Sequence, residues 1–286
     1  MKVYIDGQIM DVADAKISVL DHGLLYGDGV FEGIRIYNGN VFKLREHVER
    51  LYMSAKAILL SIPMTQDEME AAILDTVAAT GQRDGYIRPI VTRGVGCLGI
   101  DPSSCEKPSV IIIVGDIRLY PAEYYEQGME IVTVPTRRIP SDSLDPRIKS
   151  LNYLNNILAK LEARQAGCLE AIMLNHEGFV AECSADNIGI IRRGVLSIPS
   201  AHNGALDGIT MQTVIELAHG LNIPHQATSL TRYDIYNADE CFLTGTGAEI
   251  MPVTKIDGRI IGDGRPGPVT ARLRAAFTRR VSVREA

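Results

Sequence analysis

Residues 147–156 read Arg-Ile-Lys-Ser-Leu-Asn-Tyr-Leu-Asn-Asn, and their lysine, Lys149, stands among hydrogen-bonding side chains just before a predicted helix. The helix is predicted over 151–166 from its apolar periodicity. Its core face is expected to carry Leu154, Ile157, Leu158 and Leu161. A lone lysine in such a place is usually a solvated surface residue, so its meaning depends on the rest of the chain.

The composition is that of a folded globular protein that works on small molecules. Of 286 residues, 46% are hydrophobic and 22% charged, which is close to the average of soluble domains. The net charge is −6 and no basic run is present, which argues against a nucleic acid or an anionic membrane as partner. The longest apolar stretches, such as 110–114, are far shorter than the ~20 residues that span a bilayer.

The cysteines and the N-terminus both predict a cytoplasmic protein. Five cysteines are scattered without paired spacing, which is typical of reduced thiols and predicts neither a disulfide framework nor a metal site. The first residues lack the apolar core and cleavage site of a secretory leader. We therefore expect a cytoplasmic location.

Strand and helix patterns alternate along the chain, which predicts an α/β or α+β fold in two domains. Asp6-Gly7 and Asn38-Gly39 predict two hairpin turns. The segment 119–127, with a proline and several polar groups, is the predicted linker between a smaller N-terminal domain, 1–118, and a larger C-terminal domain, 128–286. Helices are predicted over 44–59, 65–80, 210–220 and 269–280. Strands are predicted over 109–114, 129–135, 171–175, 179–183, 188–192, 195–198 and 240–243.

Three further segments contain groups that could bind a charged ligand. Glu182 ends an apolar strand, although it could simply be exposed. Residues 206–210 place a glycine and a threonine at a helix start, where free N–H groups favour an anion, but where ordinary capping by Asp207 or Thr210 is the alternative. Residues 243–250 run from a strand into a Thr/Gly-rich turn that can offer successive N–H groups.

Together and in this order, these segments resemble the class IV aminotransferases, which are pyridoxal phosphate (PLP) enzymes of fold type IV. The resemblance begins at 21–35, continues through 45–51 and extends past 266–270. It implies a two-domain α/β (α+β) fold of the D-amino-acid-aminotransferase type. The family includes branched-chain and D-amino-acid aminotransferases.

The resemblance assigns roles to individual residues. Lys149 would form the Schiff base with PLP and move the proton between the substrate α-carbon and cofactor C4′. Glu182 would hold the pyridinium nitrogen protonated, which makes PLP an electron sink, and Tyr153 would bond its phenolic oxygen. The remaining implied cofactor contacts, mainly to the phosphate, are Arg50, Leu206, Ile209, Thr210 and Thr246.

Within the family, the predicted substrate residues match the branched-chain pattern. They are Tyr26, Phe31, Gly33, Tyr86, Arg88, Leu98 and Tyr120, with Thr246, Gly247 and Ala248 for the α-carboxylate. Aromatic groups would hold an apolar side chain, and Arg88 would pair with the distal carboxylate of glutamate. This predicts a transaminase that acts between L-leucine, L-isoleucine or L-valine and 2-oxoglutarate, as a homo-oligomer of dimeric or hexameric type.

The alternatives are other activities on the same fold. A D-amino-acid or (R)-amine transaminase is the main one, although the Arg-x-His pair typical of the D-specific enzymes is missing from 95–102. Cys183, Ala185 and Met211 depart from the family pattern and leave shifted specificity open. An aminodeoxychorismate lyase and a catalytically silent PLP-binding protein are more remote alternatives.

Overall fold

The computed structural model describes residues 1–117 and 120–282. Contacts between these residues divide the chain into two compact units. The first contains 1–117 and the short segment 148–152, which the sequence predicts in the C-terminal domain. The second contains 120–147 and 153–282. The predicted linker begins at residue 119, outside the described residues, and from residue 120 onward it belongs to the second unit. The domain limits at 1–118 and 128–286 stay predictions.

The first unit is built on an antiparallel sheet with helices. Its strands are β1 (Lys2–Ile5), β2 (Gln8–Asp11), β3 (Gly29–Phe31), β4 (Ile34–Tyr37), β5 (Asn40–Val41), β6 (Gly85–Thr92) and β7 (Ser109–Gly115). Its helices are α1 (His22–Tyr26), α2 (Leu44–Ala57) and α3 (Gln66–Thr80). The strand order is β2-β1-β7-β6-β4-β5, with β3 also on β6, and every one of these pairings is antiparallel.

Local sequence explains the turns and helix starts of this unit. Asp6 and Asn38 have positive φ at the two predicted hairpin turns, and each is followed by a glycine in the same region, as a tight two-residue hairpin requires. Thr65 caps α3 in a reciprocal capping box with Glu68. The apolar faces of α2 and α3 then pack in one core with the sheet, around Leu51.

The second unit is built on a larger mixed sheet. Its strands are β8 (Met129–Thr133), β9 (Ala171–Leu174), β10 (Val180–Cys183), β11 (Asn187–Arg192), β12 (Val195–Pro199), β13 (His225–Thr228), β14 (Glu240–Gly245), β15 (Glu249–Ile256) and β16 (Arg259–Ile260). Its helices are α4 (Ala122–Gln127), α5 (Leu154–Gln165), α6 (Ile209–Gly220), α7 (Arg232–Tyr236) and α8 (Pro268–Ser282). The order is β10-β9-β8-β15-β14-β11-β12-β13, with β16 on β15.

The mixed α/β fold class is confirmed, and each predicted helix and strand is present, with shifted ends. Part of the predicted linker forms the short helix α4. Two long strands were missed, β6 and β15, and each contains an internal proline, Pro89 and Pro252, which weakens a sequence-based strand prediction. Among the described residues, no helix is long and apolar enough to span a membrane.

The predicted core face of α5 is wrong. The helix begins at Leu154, three residues later than expected, and the residues that it buries are Asn156, Ala159 and Ala163. The alanines pack against β9 residues in a small core, which suits short side chains because they allow close approach of the helix. The four residues predicted to be buried are 46–66% exposed: Leu154, Ile157, Leu158 and Leu161.

Candidate active site

Lys149 lies on an extended segment beside β3 in the first unit, with its backbone fixed on both sides. Its carbonyl accepts a hydrogen bond from Phe31 N at 2.9 Å, and its own N–H donates to Ser54 Oγ on α2 at 3.2 Å. The half-buried side chain places Nζ 4.9 Å from the centroid of the Phe31 ring. The lysine is therefore held by tertiary contacts and is not a freely solvated surface residue.

Arg50, on the same helix as Ser54, is anchored by a buried carboxylate. Its Nε and Nη2 donate to Glu32 at 2.6 and 2.9 Å, and His47 Nδ1 lies 2.8 Å from the same carboxylate. Burial alone would raise the pKa of Glu32, but Arg50 and His47 hold it well below its usual value. Burial lowers the pKa of His47 despite the charge of Glu32, so the neutral ring donates to the carboxylate. Arg50 is therefore held by a buried anion and is not a solvated surface arginine.

Four of the predicted substrate residues lie together beside Lys149. Arg88 Nη2 donates to Tyr86 Oη at 2.9 Å, and its guanidinium carbon lies 4.6 Å from the Phe31 ring centroid. A Cβ at Gly33 would collide with Tyr86 Oη, so this glycine makes room for the hydroxyl. The Arg88 Nε is buried without a hydrogen-bond partner among the described residues. The cluster combines aromatic faces with a cation that has donor capacity left.

Two predicted substrate residues lie at the surface of the same unit. The Tyr26 ring packs edge-on against His22, with centroids 5.0 Å apart. Leu98 is 78% exposed. Their substrate contacts stay predictions.

Glu182 is buried in the second unit and forms an ion pair. Its Oε1 lies 2.7 Å from Arg138 Nη2, and its Oε2 accepts from the backbone N–H of Leu206 at 2.9 Å and from Asn187 Nδ2 at 3.3 Å. Arg138 is itself held by Asn156 and by a backbone carbonyl. The exposed alternative for Glu182 is therefore wrong, because its side chain is buried and paired with a buried guanidinium.

The N-terminus of α6 adjoins this carboxylate. Asn187 Nδ2 also donates to the carbonyl of Leu206 at 2.9 Å, and a Cβ at Gly208 would collide with Asn187 Oδ1. Gly208 is the N-cap residue of α6 and gives no side-chain cap, and the alternative of capping by Asp207 or Thr210 stays a prediction. Ile209 and Thr210 are buried in the first turn, where unpaired N–H groups attract an anion.

The remaining predicted residues of the second unit stand at ends of elements. Tyr153 is the N-cap residue of α5. Thr246 and Gly247 are half-buried and Ala248 is buried in the turn between β14 and β15. Tyr120 has its hydroxyl 2.7 Å from Asp186 Oδ2 and 3.0 Å from Glu170 Oε2.

The chemical groups of these residues fit a phosphorylated pyridine cofactor. In the second unit, the buried Glu182 carboxylate can accept from a ring N–H, and the first turn of α6 can bind a phosphate. In the first unit, Arg50, held by Glu32, has a fork of donors that is suited to phosphate groups in general. The chemistry of the residues thus matches the cofactor that the resemblance implies.

Sequence reasoning missed the residues that hold the predicted ones in place. These are Glu32, His47, Ser54, Arg138 and Asn187. Glu32 and His47 lie inside the segments that carried the resemblance, and this location was a signal that they could belong to the site. The sequence around Arg138 contained no such signal, because its partner Glu182 is remote along the chain.

Comparison with known proteins places the chain in a family. Residues 29–256 match the family model of class IV aminotransferases. A Methanocaldococcus jannaschii protein with the provisional name branched-chain-amino-acid aminotransferase is 50% identical over 97% of this chain and 95% of its own length. A D-alanine aminotransferase of Listeria monocytogenes is 38% identical over 99% of this chain and 96% of its own length.

Solved structures are similar over nearly the whole chain. The branched-chain aminotransferase of Thermoproteus uzoniensis with norvaline has a TM-score of 0.92 at 42% identity, covering 99% of this chain and 95% of that one. The branched-chain amino acid aminotransferase of Thermobaculum terrenum in its PLP form has a TM-score of 0.90 at 32% identity, covering 99% and 94%.

The chain belongs to the class IV aminotransferases. The predicted enzyme class, fold type IV and PLP dependence are thereby confirmed.

Proposed function

We propose that this enzyme transfers an amino group between L-branched-chain amino acids and 2-oxoglutarate. The observation that carries the proposal is the cluster of Phe31, Tyr86 and Arg88 beside Lys149. Its aromatic faces suit an apolar side chain, and its guanidinium suits the distal carboxylate of glutamate. The names of relatives such as the Methanocaldococcus jannaschii protein support the same substrate class.

Lys149 and Glu182 are the proposed reacting and polarising residues. Bound PLP supplies an electron sink for the negative charge that develops on the substrate α-carbon. Lys149 Nζ holds the cofactor before substrate arrives and afterwards carries the proton to and from the α-carbon. Glu182, paired with Arg138, would retain the proton on the pyridine nitrogen. Tyr153 bonds the phenolic oxygen of the cofactor.

The phosphate is proposed to bind at a set of hydrogen-bond donors. Arg50 supplies the guanidinium, with the backbone at Leu206 and Ile209 and the hydroxyls of Thr210 and Thr246. The N-terminus of α6, where the N-cap residue Gly208 gives no side-chain cap, supports this assignment, because the N–H groups of a first helical turn attract an anion.

The substrate α-carboxylate is proposed to bind at the turn Thr246-Gly247-Ala248, with help from Tyr86. The β14–β15 turn carries small residues and successive N–H groups, which suit a carboxylate. The segment 95–102 lacks the Arg-x-His pair expected of D-specific relatives. This absence favours L-amino acids as substrates.

We also propose a homo-oligomer in the cytoplasm. Four large apolar side chains of α5 are about half exposed or more: Leu154, Ile157, Leu158 and Leu161. Contiguous apolar surface of this kind marks an association interface. All five cysteines are free thiols, which suits a reducing compartment.

Half-reactions with single amino donors test the substrate class. The PLP-loaded enzyme is mixed in turn with L-leucine, L-glutamate, D-alanine and a chiral (R)-arylamine, and loss of the visible absorption of the bound cofactor is followed. We expect L-leucine and L-glutamate to react fastest. Faster reaction with D-alanine or the arylamine than with L-leucine overturns the proposal.

The role of Lys149 is tested separately by Lys149→Ala. Turnover and the visible absorption that depends on the lysine are expected to be lost, while PLP stays bound through its phosphate contacts. Lys56→Ala, on the exposed side of α2, is the matched control and is expected to behave as the parent. Normal transamination by the Lys149 variant contradicts the assignment.

A further inference from the structure

Asp186 is a buried carboxyl group to which the chemistry above gives no role. It lies between β10 and β11 and is 4% exposed. Its Oδ2 is 2.7 Å from Tyr120 Oη, and its Oδ1 has no hydrogen-bond partner among the described residues. The same Tyr120 hydroxyl lies 3.0 Å from Oε2 of a second buried carboxyl group, Glu170.

Counting protons assigns a charge to each carboxyl group. The Tyr120 hydroxyl has one proton and can donate to only one of the two. Glu170 accepts from Lys160 Nζ at 2.7 Å and from the backbone N–H groups of Ala171 and Ser184, so it is the ionised member. Among the described residues, Asp186 has neither a cation nor an N–H donor on its carboxyl group. Both Tyr120 contacts can be hydrogen bonds at once when Asp186 is a neutral acid that donates to Tyr120, whose hydroxyl donates to Glu170.

The electrostatic surroundings agree with a neutral Asp186. The titratable and charged groups that face it are Tyr120, Glu170, Lys160, Glu182 and Cys183. The pKa of Asp186 is raised to about 7, mainly by burial and next by the charge of Glu170. Lys160 and the Tyr120 hydrogen bond act in the opposite direction but more weakly.

The two remaining neighbours do not supply a compensating positive charge. Glu182 raises the pKa of Asp186 further, and its partner Arg138 is paired with it. Burial raises the pKa of the Cys183 thiol well above its usual value, so that this group stays neutral.

Asp186 contacts two parts of the chain to which substrate roles are assigned. One is Tyr120, through the hydrogen bond. The other is the end of β14, because a Cβ at Gly245 would collide with Asp186 Oδ1. Gly245 leads directly into Thr246-Gly247-Ala248, the turn proposed to hold the α-carboxylate. A negative charge on Asp186 would repel that carboxylate, whereas the neutral acid does not.

We propose that Asp186 is a positioning residue that, as a neutral acid, holds Tyr120 and the Gly245 turn for the substrate carboxylate. Loss of its proton to solvent leaves an anion that weakens substrate binding without removing the reacting groups. The inference rests on the proposed function, because it uses the roles proposed there for the 246–248 turn. It predicts an effect on KM and little effect on kcat.

The substitution Asp186→Asn tests the charge, because its amide keeps an N–H donor for Tyr120 but cannot ionise. The substrate is 4-methyl-2-oxopentanoate with the aminated enzyme, since this acid has no amino group that titrates. Between about pH 6 and about pH 8.5, on either side of the Asp186 pKa, the KM of the parent is expected to rise severalfold relative to that of the variant. A ratio of the two KM values that is independent of pH overturns the proposal.

Asp257→Asn is the matched control. Asp257 accepts a hydrogen bond from Tyr236 Oη at 2.6 Å and one from the backbone N–H of Thr133, so it is a second Asp–Tyr pair in the same unit. We expect its KM to follow the parent at every pH. The same pH-dependent divergence in this control would overturn the assignment to Asp186.

A thermal measurement checks the protonation state without any substrate. The pKa of Asp186 is raised in the folded protein from its usual 3.8, so its destabilising effect grows as the pH rises through about 7. The unfolding midpoint of Asp186→Asn is therefore expected to exceed that of the parent at alkaline pH, and the difference is expected to shrink as the pH falls. A difference that does not grow with pH overturns the neutral-acid assignment.

A second variant covers the case in which Asp186→Asn does not fold. Lys160→Gln removes a cation that lowers the pKa of Asp186. The rise of KM is therefore expected at a higher pH in this variant than in the parent. A rise at unchanged pH overturns the proposal. If the parent transaminates no amino acid, the proposed function fails and the substrate part of this inference fails with it, whereas the thermal test still reports on the Asp186 proton.

Discussion

Arg138 and Glu182 form an ion pair of 2.7 Å in which each side chain is only 7% exposed. Burying two charges is costly unless both are paired and hydrogen-bonded. Here the remaining donors and acceptors are taken up by Asn156, Leu206 and Asn187. The pair therefore fixes the position of the Glu182 carboxylate next to the start of α6.

Replacing Arg138 by methionine should destabilise the protein strongly. The variant leaves Glu182 buried without its cation, which typically costs about 3–5 kcal/mol. We expect this loss in the free energy of unfolding from urea titration, together with weaker PLP binding. Arg192→Met is the control, because Arg192 forms only a long, partly exposed pair with Asp234, and its loss should cost about 0–1 kcal/mol. Equal stabilities of the two variants would contradict the role of the buried pair.

Glu32→Gln should loosen Arg50 and weaken phosphate binding. The substitution removes the charge that holds both Arg50 and His47, and we expect a loss of about 3–5 kcal/mol in unfolding free energy at neutral pH. Glu49→Gln, on α2 but paired with Arg45 at the surface, should change stability by about 0–1 kcal/mol. PLP affinity is measured by equilibrium titration of the apoenzyme, and unchanged affinity in the Glu32 variant would refute the anchoring role.

The stability lost in Glu32→Gln should depend on pH. The pKa of Glu32 is lowered in the folded protein, so its contribution is fully present above the usual value of 4.5 and is lost as the pH falls towards the lowered pKa. The difference between parent and variant should therefore shrink below about pH 4.5. Thermal midpoints across the acid range measure it, and a constant difference would speak against an ionised Glu32.

Gly33→Ala should displace the Tyr86 hydroxyl and the Arg88 side chain bonded to it. The added methyl group would collide with Tyr86 Oη, and overpacking of this kind costs about 1–3 kcal/mol. We expect KM for L-glutamate to rise, because Arg88 is its proposed partner. Gly220→Ala, where a Cβ meets open space at the end of α6, is the control. An unchanged KM in the Gly33 variant would exclude the proposed pairing.

Leu158→Arg should break the assembly without unfolding the chain. Leu158 is nearly half exposed on α5, so a charge there is tolerated in a single chain but not within an apolar interface. Sedimentation equilibrium is expected to show a shift towards the mass of one chain. Leu74→Arg, similarly exposed on α3, should leave the mass unchanged. An intact oligomer in the Leu158 variant would rule out α5 as the interface.

Local pattern was sufficient wherever neighbouring residues decide the conformation. The hairpins at Asp6-Gly7 and Asn38-Gly39 were predictable because a tight turn needs residues that tolerate positive φ. The helices α2 and α3 were predictable from their apolar faces and the Thr65 cap. The order of the separated motifs predicted the family, which the match over 29–256 confirms.

The apolar periodicity of α5 predicted a buried face, but in the structure this face is exposed. A sequence shows that Leu154, Ile157, Leu158 and Leu161 share a face, but not what covers it. In the structure, small residues face β9 and the large ones stay exposed. Such a face can be interpreted only once the packing of the unit is known.

The sequence by itself determined the family, the mixed fold and the position of Lys149 among the motifs, because these depend on residue types in a fixed order. Only the tertiary structure decided that Arg138 neutralises Glu182 and that Glu32 holds Arg50. It also decided that Asp186 shares the Tyr120 hydroxyl with Glu170. Such pairs join residues that are far apart along the chain, and burial determines the strength of their charges. Neither distance nor burial is encoded in local sequence.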